Sequence, residues 1–378
     1  MQKMNICFFI KHEITWGSSR ERVGVYLQSL KKRNHAYRII SIIPDKLSRI
    51  GLGKRVNNPR IIRAIYSLWY SKILRYSKFI YLITIAKKFD LIVIQKVNIP
   101  FFLLKWLKAI NKNIIFDFDD LCFLHEELKD IGLIARLKLQ WRHWYQDPKV
   151  LTLFKHVIAG NKYLAKIAQD AGQKNVSIIA TSVDCNIYFP AVKKPDPTLV
   201  IGFTGAGENH LRHLSLLTGT LAKIGKKHRF IFRLIGAMHS DKIKALFFSS
   251  SFVFDCIDWM SAEQLPLAIR SFDIGVMPLI DDAEARCKCG FKALLYMASG
   301  VATVVSPVGV NREIIQDGVN GLWAQNDNEW IEKLSLLIED KALRHNLGLE
   351  GRKTVEDRYS LVKTSELFIN TLETAAGA

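Results

Sequence analysis

The run KCGFKALLYMASG, residues 288–300, places cations and a glycine at the start of an apolar, helix-like segment. Lys288 and Lys292 flank Gly290, and Arg286 comes just before them. The first turn of a helix presents unpaired backbone N–H groups and a partial positive charge, so it attracts anions. Glycine lets a ligand approach the backbone closely. The combination predicts a site for a pyrophosphate, with an ordinary surface helix start as the alternative.

Three aspartates end a second strand-like run, IIFDFDDLCF. Asp117, Asp119 and Asp120 fall at its carboxyl end, where the catalytic groups of wound parallel sheets gather. Close carboxylates repel one another, which raises at least one pKa and lets one group serve as an acid or base, or hold a hydroxyl. Alternation along the strand sends Asp117 and Asp119 to one face and Asp120 to the other. A helix cap and an ion pair with a nearby arginine are the structural alternatives.

Short apolar runs that recur along the chain predict the elements that carry these residues. The runs are continuous rather than alternating, as in parallel strands buried on both faces, and helical patterns separate them. This pattern predicts an α/β fold with two doubly wound, Rossmann-like sheets whose strand ends face a central cleft. The proline-rich residues 190–198 are the predicted linker. We expect domains over 1–189 and 190–355 and a C-terminal helix over 356–378, packed across both domains.

Length and composition narrow the class of protein. The chain has 378 residues, of which 49% are hydrophobic, and is therefore expected to be globular. No apolar run reaches the roughly 18 residues of a membrane-spanning helix, and the N-terminal run MNICFFI reads as a strand rather than a signal peptide. The six cysteines fit neither a disulfide framework nor a zinc site, so the prediction is reduced thiols in a cytoplasm and no bound metal.

The positive charge is confined to one half of the chain. Residues 1–189 hold 32 Lys/Arg and 13 Asp/Glu, whereas residues 190–378 hold 22 of each. Residues 46–88 carry 11 basic residues, no acidic ones and several aromatics. This stretch predicts contact with an anionic membrane surface, where each cation contributes about 1 kcal/mol. A nucleic-acid backbone and a solvated helical face are the alternatives.

The C-terminal motifs follow one another in a specific order. YMASGVATVVSPVGVNREIIQDGVNGLWAQND leads on to IEDKALRHNLGLEGRKTVEDRYS. The order resembles that of the retaining GT-B glycosyltransferases, in the large bacterial lipopolysaccharide and capsule family (family 4-like): A-x-G-x-P-V-V-x-S, E-I-[IV], D-G-x-N-G, then L-R-x-x-L-G-x-x-G-R. GSSRERVGVYLQSL resembles that family's first strand-to-helix loop, and HVIAGNKYLAKIA with TSVDCNIYFP resembles two later motifs. The resemblance covers nearly the whole chain.

The resemblance implies a GT-B fold and a nucleotide-diphosphate sugar held mainly by the second domain. It also implies an acceptor against the first domain, transfer with retention of configuration, and no need for a metal or cofactor. Gly290, Lys292 and the backbone after them fall where the family binds the donor diphosphate, and the charge of Lys288 makes it a further candidate for donor binding. Gly205 and Gly207 fall at another donor-facing loop.

Further family positions lie in both halves of the chain. Gly17 and Arg20 match the N-terminal loop that closes on the phosphates, for which a guanidinium is well suited. Glu313, in the E-I-[IV] motif, is a further candidate for donor binding, out of register with the family's usual pair of glutamates. The positions of that pair hold Cys287 and Leu295 here, and leucine cannot accept a hydrogen bond from a ribose hydroxyl.

Three functions fit these observations. The preferred one is a glycosyltransferase that uses a nucleotide sugar and a glycan or lipid-linked acceptor to build bacterial surface polysaccharide or lipopolysaccharide. Such an enzyme is expected in the cytoplasm, peripheral on the inner face of the membrane, because a basic acceptor domain suits phosphates or anionic lipids. The alternative is a non-catalytic relative that binds a glycan or membrane beside an active transferase. Nucleic-acid binding leaves the C-terminal motifs unexplained, so no nucleic-acid partner is expected.

Overall fold

The chain divides into two compact units. A computed structural model describes residues 3–43, 73–122, 147–191, 198–248 and 251–377. The first unit comprises Met1–Thr181 and Thr364–Ala378, and the second comprises Ser182–Lys363. Most of the basic stretch 46–88 lies outside the described residues. The domain limits drawn from the sequence stay predictions.

The first unit is built on a parallel sheet of six strands in the order β2-β1-β3-β4-β5-β6. The order reverses between β1 and β3, which marks the usual position of a ligand crevice in such sheets. Their continuous apolar sequences match strands covered on both faces, and β3 and β4 are buried throughout. The strands are β1 (Asn5–His12), β2 (Ala36–Ile43), β3 (Leu91–Gln95), β4 (Ile114–Phe118), β5 (His156–Ala159) and β6 (Val176–Ile178).

Helices connect the strands of the first unit. One of them, α5, starts where the side chain of Asn161 accepts a hydrogen bond from the Leu164 amide, a typical N-cap. The helices α3 and α4 contact each other. Helix α3 precedes β3, and α4 connects β3 to β4, its neighbour in the sheet. The described helices before the second unit are α1 (Gly17–Arg22), α2 (Leu27–Lys32), α3 (Arg75–Ile85), α4 (Phe101–Ile110) and α5 (Lys162–Asp170).

The second unit contains another parallel sheet of six strands, in the order β12-β11-β10-β7-β8-β9. Its order reverses between β7 and β10, so the loops after these two strands meet at one crevice. Phenylalanines of β7 and β8, including Phe203 and Phe232, form its core with the helices. The strands are β7 (Leu199–Thr204), β8 (Phe230–Ile235), β9 (Val253–Ile257), β10 (Ile274–Met277), β11 (Ala302–Val305) and β12 (Leu322–Trp323).

Eight helices are described within the second unit, and two of them follow β10 directly. The short α9 and the longer α10 lead from β10 to β11 and carry the residues of the predicted anion site. The helices are α6 (Leu211–Gly225), α7 (Asp241–Leu246), α8 (Leu265–Arg270), α9 (Ala283–Arg286), α10 (Phe291–Ala298), α11 (Asn311–Ile314), α12 (Asp327–Glu339) and α13 (Lys341–Arg358).

The last helix, α14 (Leu361–Ala376), returns to the first unit. The ring of Phe368 stacks on Tyr26 with centroids 4.2 Å apart, and Glu373 Oε1 lies 3.0 Å from His35 Nε2. The predicted helix over 356–378 is therefore interrupted, because its first residues belong to α13. The prediction of two doubly wound α/β sheets is confirmed. Among the described residues, no helix is long and apolar enough to span a bilayer.

Candidate functional site

The loops after β7 and β10 meet where the second sheet reverses its strand order. The end of β7 is held by Tyr296, whose hydroxyl accepts a hydrogen bond of 2.9 Å from the Thr204 amide. The Tyr296 ring covers Gly275 in β10 so closely that a Cβ there would lie 2.5 Å from it. The loop after β10 is held by His213, whose Nδ1 accepts a hydrogen bond of 3.1 Å from the Ile280 amide. Both loops are thus positioned by buried side chains.

Gly290 starts α10 in a conformation that requires glycine. Its φ is +67°, in the left-handed region. A Cβ at this position would lie 2.4 Å from Ile314 Cδ1 and 2.9 Å from Val310 Cγ1. The helix has no side-chain cap at its N-terminus. The first-turn amides of α10 thus have no side-chain cap, and anion binding at this helix start stays a prediction.

Lys292, in the first turn of α10, packs against the loop after β7. A Cβ on Gly205 would lie 2.9 Å from Lys292 Cε and 2.6 Å from His210 Cδ2. Lys292 Nζ also lies 5.7 Å from the centre of the Phe203 ring. The structure thus brings Gly205 and Lys292, which are distant in sequence, to one place and adds His210 to them.

Gly207 and Gly236 allow the loops after β7 and β8 to pack tightly. Both have positive φ, +65° and +101°. The Gly207 amide donates a 2.8 Å hydrogen bond to the Gly236 carbonyl, and a Cβ on Gly236 would lie 2.3 Å from the Gly205 oxygen. Gly205 and Gly207 therefore form a compact loop beside Lys292, and their contact with a donor stays a prediction.

Two histidines stand at this site as neutral groups. Burial first, and then Lys292 and Lys288, lowers the pKa of His210 to about 2. Burial first, and then Arg212, lowers the pKa of His213 to about 4. The lysines therefore carry the positive charge, and neither imidazole competes with them for an anion. A lone histidine in a sequence gives only a weak functional signal, so both are residues that sequence reasoning underrates.

The polar loop between β10 and α10 also carries carboxylates. Glu284 Oε1 lies 3.2 Å from Lys288 Nζ, and Glu284 Oε2 lies 3.2 Å from a guanidinium nitrogen of Arg212. Asp282 caps α9, because its side chain accepts a 2.8 Å hydrogen bond from the Ala285 amide. Glu284 is thus a carboxylate close to the predicted diphosphate site, three positions before Cys287.

Cys287 and Leu295 occupy the positions where the resembled family carries its paired glutamates. The structure buries Cys287 completely and leaves Leu295 only 3% exposed. Burial raises the cost of any polar group at these positions. At these two positions the chain thus buries a thiol and an aliphatic side chain in place of carboxylates.

Glu313 lies on α11 and lines a cavity of about 460 Å³. The residues around this cavity do not include Lys288, Gly290 or Lys292. Its charged lining residues are Arg312, Glu313, Asp317, Glu350, Lys353, Asp357 and Arg358. Glu313 thus lines a cavity that the predicted diphosphate residues do not line, and its donor-binding role stays a prediction.

In the first unit, Asp117 forms a buried ion pair with Arg22. Its two carboxylate oxygens accept hydrogen bonds from Nε and a terminal nitrogen of Arg22, and both side chains are 1% exposed. Burial alone would lower the pKa of Arg22, but Asp117 raises it; burial raises the pKa of Asp117, and Arg22 opposes that rise. Arg22 also donates to the Ile179 carbonyl at 2.6 Å. This is the ion pair that the sequence left open as an alternative to catalysis.

Asp119 and Asp120 share Lys96, which follows β3. Lys96 Nζ lies 2.9 Å from Asp119 Oδ1 and 3.6 Å from Asp120 Oδ2, and Lys96 itself has a left-handed φ of +53°. Burial alone would raise the pKa of Asp119, but Lys96 and Arg22 lower it. Asp119 is buried, whereas the side chain of Asp120 is 46% exposed. Of the three predicted catalytic aspartates, Asp120 is the one that solvent reaches most readily.

Gly17 and Arg20 lie on α1, after β1. Nothing lies within 4 Å of a Cβ built on Gly17. Arg20 Nε donates a 2.7 Å hydrogen bond to Glu21. Both residues belong to the first unit, and their role toward the phosphates stays a prediction. Within the described ranges, no group of three or more His, Cys, Asp or Glu residues could hold a metal ion.

Two parallel, doubly wound sheets are the architecture of the GT-B fold, and solved structures share this fold. A glycosyltransferase from Rickettsia africae has a TM-score of 0.68 at 15% identity and covers 99% of each chain. Anabaena HepE in complex with UDP-glucose has a TM-score of 0.66 at 15% identity, covering 98% of this chain and all of that one. Sucrose-phosphate synthase from Thermosynechococcus elongatus has a TM-score of 0.67 at 14% identity, covering 98% and 99%. At this identity, the likeness establishes the GT-B fold.

The family comparison concerns the second unit. Residues 198–340 match the family described as "Glycosyl transferases group 1". No curated protein matches the chain. The match covers β7 to α12, which carry the glycine loop, Lys292 and α10. The residues of the predicted anion site therefore lie within the part of the chain that matches this family.

Proposed function

We propose that this protein is a glycosyltransferase that moves a sugar from a nucleotide-diphosphate donor to a glycan acceptor. The observation that carries the proposal is the meeting of Gly205, Lys292 and the uncapped start of α10 at the reversal point of the second sheet. When the bond between the anomeric carbon and the diphosphate breaks, negative charge grows on the leaving nucleotide. Lysines and helix-start amides stabilise such a charge.

Neutral histidines sharpen this assignment. With a pKa of about 2, the imidazole of His210 is uncharged at physiological pH. It therefore leaves Lys288 and Lys292 to attract the diphosphate, and its nitrogens offer hydrogen bonds rather than charge. The proposal includes transfer with retention of configuration and without a metal or cofactor, on the strength of the motif resemblance. The solved complex of HepE with UDP-glucose supports a nucleotide sugar as the co-substrate.

We assign the acceptor to the first unit. Its excess of basic residues suits an acceptor that carries phosphates, such as a lipid-linked glycan. Asp120 is the proposed contact for an acceptor hydroxyl, since its carboxylate is more exposed than those of Asp117 and Asp119. The proposed setting is the synthesis of bacterial lipopolysaccharide or surface polysaccharide, on the inner face of the cytoplasmic membrane.

The burial of Cys287 and Leu295 favours a second candidate function. Without the family's usual glutamates, the second unit would bind the donor ribose and sugar less firmly. A non-catalytic relative that binds a glycan or membrane beside an active transferase would tolerate this loss. The two candidates differ in whether the second unit binds a nucleotide.

Calorimetric titration with UDP, GDP and ADP tests the proposal. One nucleotide should bind. At 100 times its Kd, it should raise the free energy of unfolding by about 2.7 kcal/mol. Lys292→Ala should weaken binding, whereas Lys226→Ala, beyond the far end of α6, should not. Failure of all three nucleotides to bind would reject the transferase and favour the non-catalytic relative. Equal binding by the wild type and Lys292→Ala would remove Lys292 from the site.

A further inference from the structure

The helix α4 in the first unit has two apolar faces. Its inner face packs Leu103, Leu104 and Leu107 into the core. Its outer face exposes Phe102 by 56% and Trp106 by 53%. These two residues are four positions apart and therefore share one side of the helix. The outer apolar face is not needed to hold α4 on the sheet.

A lysine lies on the same outer side of α4, and a second one flanks it. Lys105 is exposed, and its Nζ lies 4.6 Å from the centre of the Phe101 ring. Lys108 comes one helical turn later, and the sequence of α4 contains no acidic residue. We call Phe101, Phe102, Lys105 and Trp106 the α4 outer face; the half-buried Lys108 flanks it. Aromatic rings and lysines on one exposed helical side are typical of a helix that lies in a membrane interface.

The neighbouring helix α3 also carries basic and exposed apolar residues. The helix α3 contacts α4 and carries Arg75 and Lys78, again without an acidic residue. Two of its apolar residues, Ile80 and Tyr81, are exposed. Protein–protein interfaces are depleted of lysine at their centres, whereas anionic lipid attracts it. Charge complementarity therefore favours a bilayer over a protein partner at this surface.

We propose that the α4 outer face docks the protein on an anionic phospholipid bilayer, with Phe102 and Trp106 inserted at the headgroup level and the lysines against lipid phosphates. Lys96, the partner of Asp119 and Asp120, lies only five residues before the start of this helix. The segment between them is tied down because Asn98 Nδ2 donates a 3.0 Å hydrogen bond to the Cys122 carbonyl. Docking would therefore bring the bilayer near the carboxylates that we assign to the acceptor.

Vesicle flotation tests the docking surface. The wild type should float with phosphatidylcholine vesicles that contain phosphatidylglycerol, and more weakly with phosphatidylcholine alone. The variant Phe102→Ser/Trp106→Ser should lose at least tenfold in partitioning, because it removes two large apolar groups. Lys105→Gln/Lys108→Gln should lose about fivefold per lysine on the anionic vesicles only. Trp259→Ser, which alters an equally exposed tryptophan of the second unit, should behave as the wild type.

The quenching of tryptophan fluorescence by lipids with brominated acyl chains gives a second readout that does not depend on the double variant's folding. Anionic vesicles with brominated lipids should quench part of the tryptophan fluorescence of the wild type. This quenching should be absent in Trp106→Phe. No flotation of the wild type, full flotation of Phe102→Ser/Trp106→Ser, or equal losses in Trp259→Ser would each overturn the proposal. The docking proposal rests on the proposed function only for the nature of the acceptor. Nucleotide titration of the same variants distinguishes a failure of docking from a failure of the proposed function, because an α4 variant should keep wild-type nucleotide affinity.

Discussion

The carboxyl edges of the two sheets use charge in opposite ways. At the edge of the first sheet, buried charges meet opposite charges: Arg22 with Asp117, and Lys96 with Asp119. At the edge of the second sheet, glycines bring backbone close to Lys292, and His210 beside it is held neutral. The first arrangement pairs buried charges with each other, whereas the second combines a lysine, a neutral imidazole and glycine backbone, which suits an anionic ligand.

The same sheet architecture thus serves structure in one unit and ligand binding in the other. A buried ion pair contributes to structure mainly because its loss leaves a partner unpaired. A lysine at a glycine-lined helix start contributes mainly when an anion arrives. Changes at the first edge should therefore alter stability, and changes at the second should alter ligand binding and turnover.

The largest effect is expected at Asp117. Asp117→Ala leaves the buried guanidinium of Arg22 without its carboxylate and should cost about 3–5 kcal/mol of unfolding free energy. Urea unfolding followed by circular dichroism measures this loss. Asp170→Ala, which breaks the exposed pair with Lys166, should cost no more than about 1 kcal/mol. A loss at Asp117 as small as that control would mean that the pair is not structural.

Replacement of Arg22 together with Asp117 sharpens the first result. The double variant Arg22→Met/Asp117→Leu should lose less stability than Asp117→Ala, because no buried charge remains unpaired. It should also keep wild-type nucleotide affinity, since neither residue is among those assigned to the nucleotide. Weaker nucleotide binding in this variant would contradict the division of roles.

Lys292 gives the converse result. Lys292→Ala should lower kcat about 10²-fold, the scale for the loss of one group that stabilises a developing negative charge. Its urea midpoint should stay near that of the wild type. Steady-state kinetics with the nucleotide sugar found by titration measures the effect, with Lys226→Ala as the matched control. Unchanged kcat in Lys292→Ala would place the diphosphate elsewhere.

A smaller effect is expected at Gly205. Gly205→Ala adds a Cβ that would overlap His210 and Lys292, so both must move and nucleotide affinity should fall about tenfold, or 1.4 kcal/mol. The control is Gly219→Ala in the middle of α6, where nothing lies within 4 Å of the new Cβ. That control should gain about 0.5–1 kcal/mol of stability. Equal nucleotide affinities in the two variants would show that the loop after β7 does not face the ligand.

The smallest effect concerns pH. The folded pKa values of His213 and His210, about 4 and about 2, lie below the ordinary 6.5. As the pH falls below 6.5, the unfolded chain binds protons that the folded protein resists, so stability decreases. Each histidine contributes at most about 1.4 kcal/mol per pH unit. In His213→Gln, the slope of unfolding free energy between pH 7 and 5 should be shallower; an unchanged slope would mean that His213 is not held neutral.

Strand positions were predictable because short apolar runs rich in β-branched and aromatic residues are typical of buried parallel strands. The two-residue strand β12 escaped the prediction since it is too short to form a pattern. The break between α13 and α14 escaped it for a different reason. The helical period continues across Tyr359, and the interruption comes from a bridge between Ser360 and the distant Val183.

The candidate site was predictable in its parts but not in its assembly. Motif resemblance identified Gly205 and Lys292 separately, and their proximity follows from β7 lying next to β10, which no local pattern reveals. Arg20 drew attention as part of a motif, whereas Arg22 is the buried arginine. Residues two positions apart on a helix point in nearly opposite directions, so only the packing of α1 distinguishes them.

The return of α14 to the first unit bears on the order in which the halves mature during synthesis. Translation delivers all of Ser182–Lys363 before Phe368 and Glu373 leave the ribosome. The packing of the first unit is complete only when these residues contact Tyr26 and His35. Domains usually fold in the order of their synthesis, yet here the half that begins first is completed last. Nascent chains should accordingly expose an unfinished N-terminal half until α14 has been synthesised.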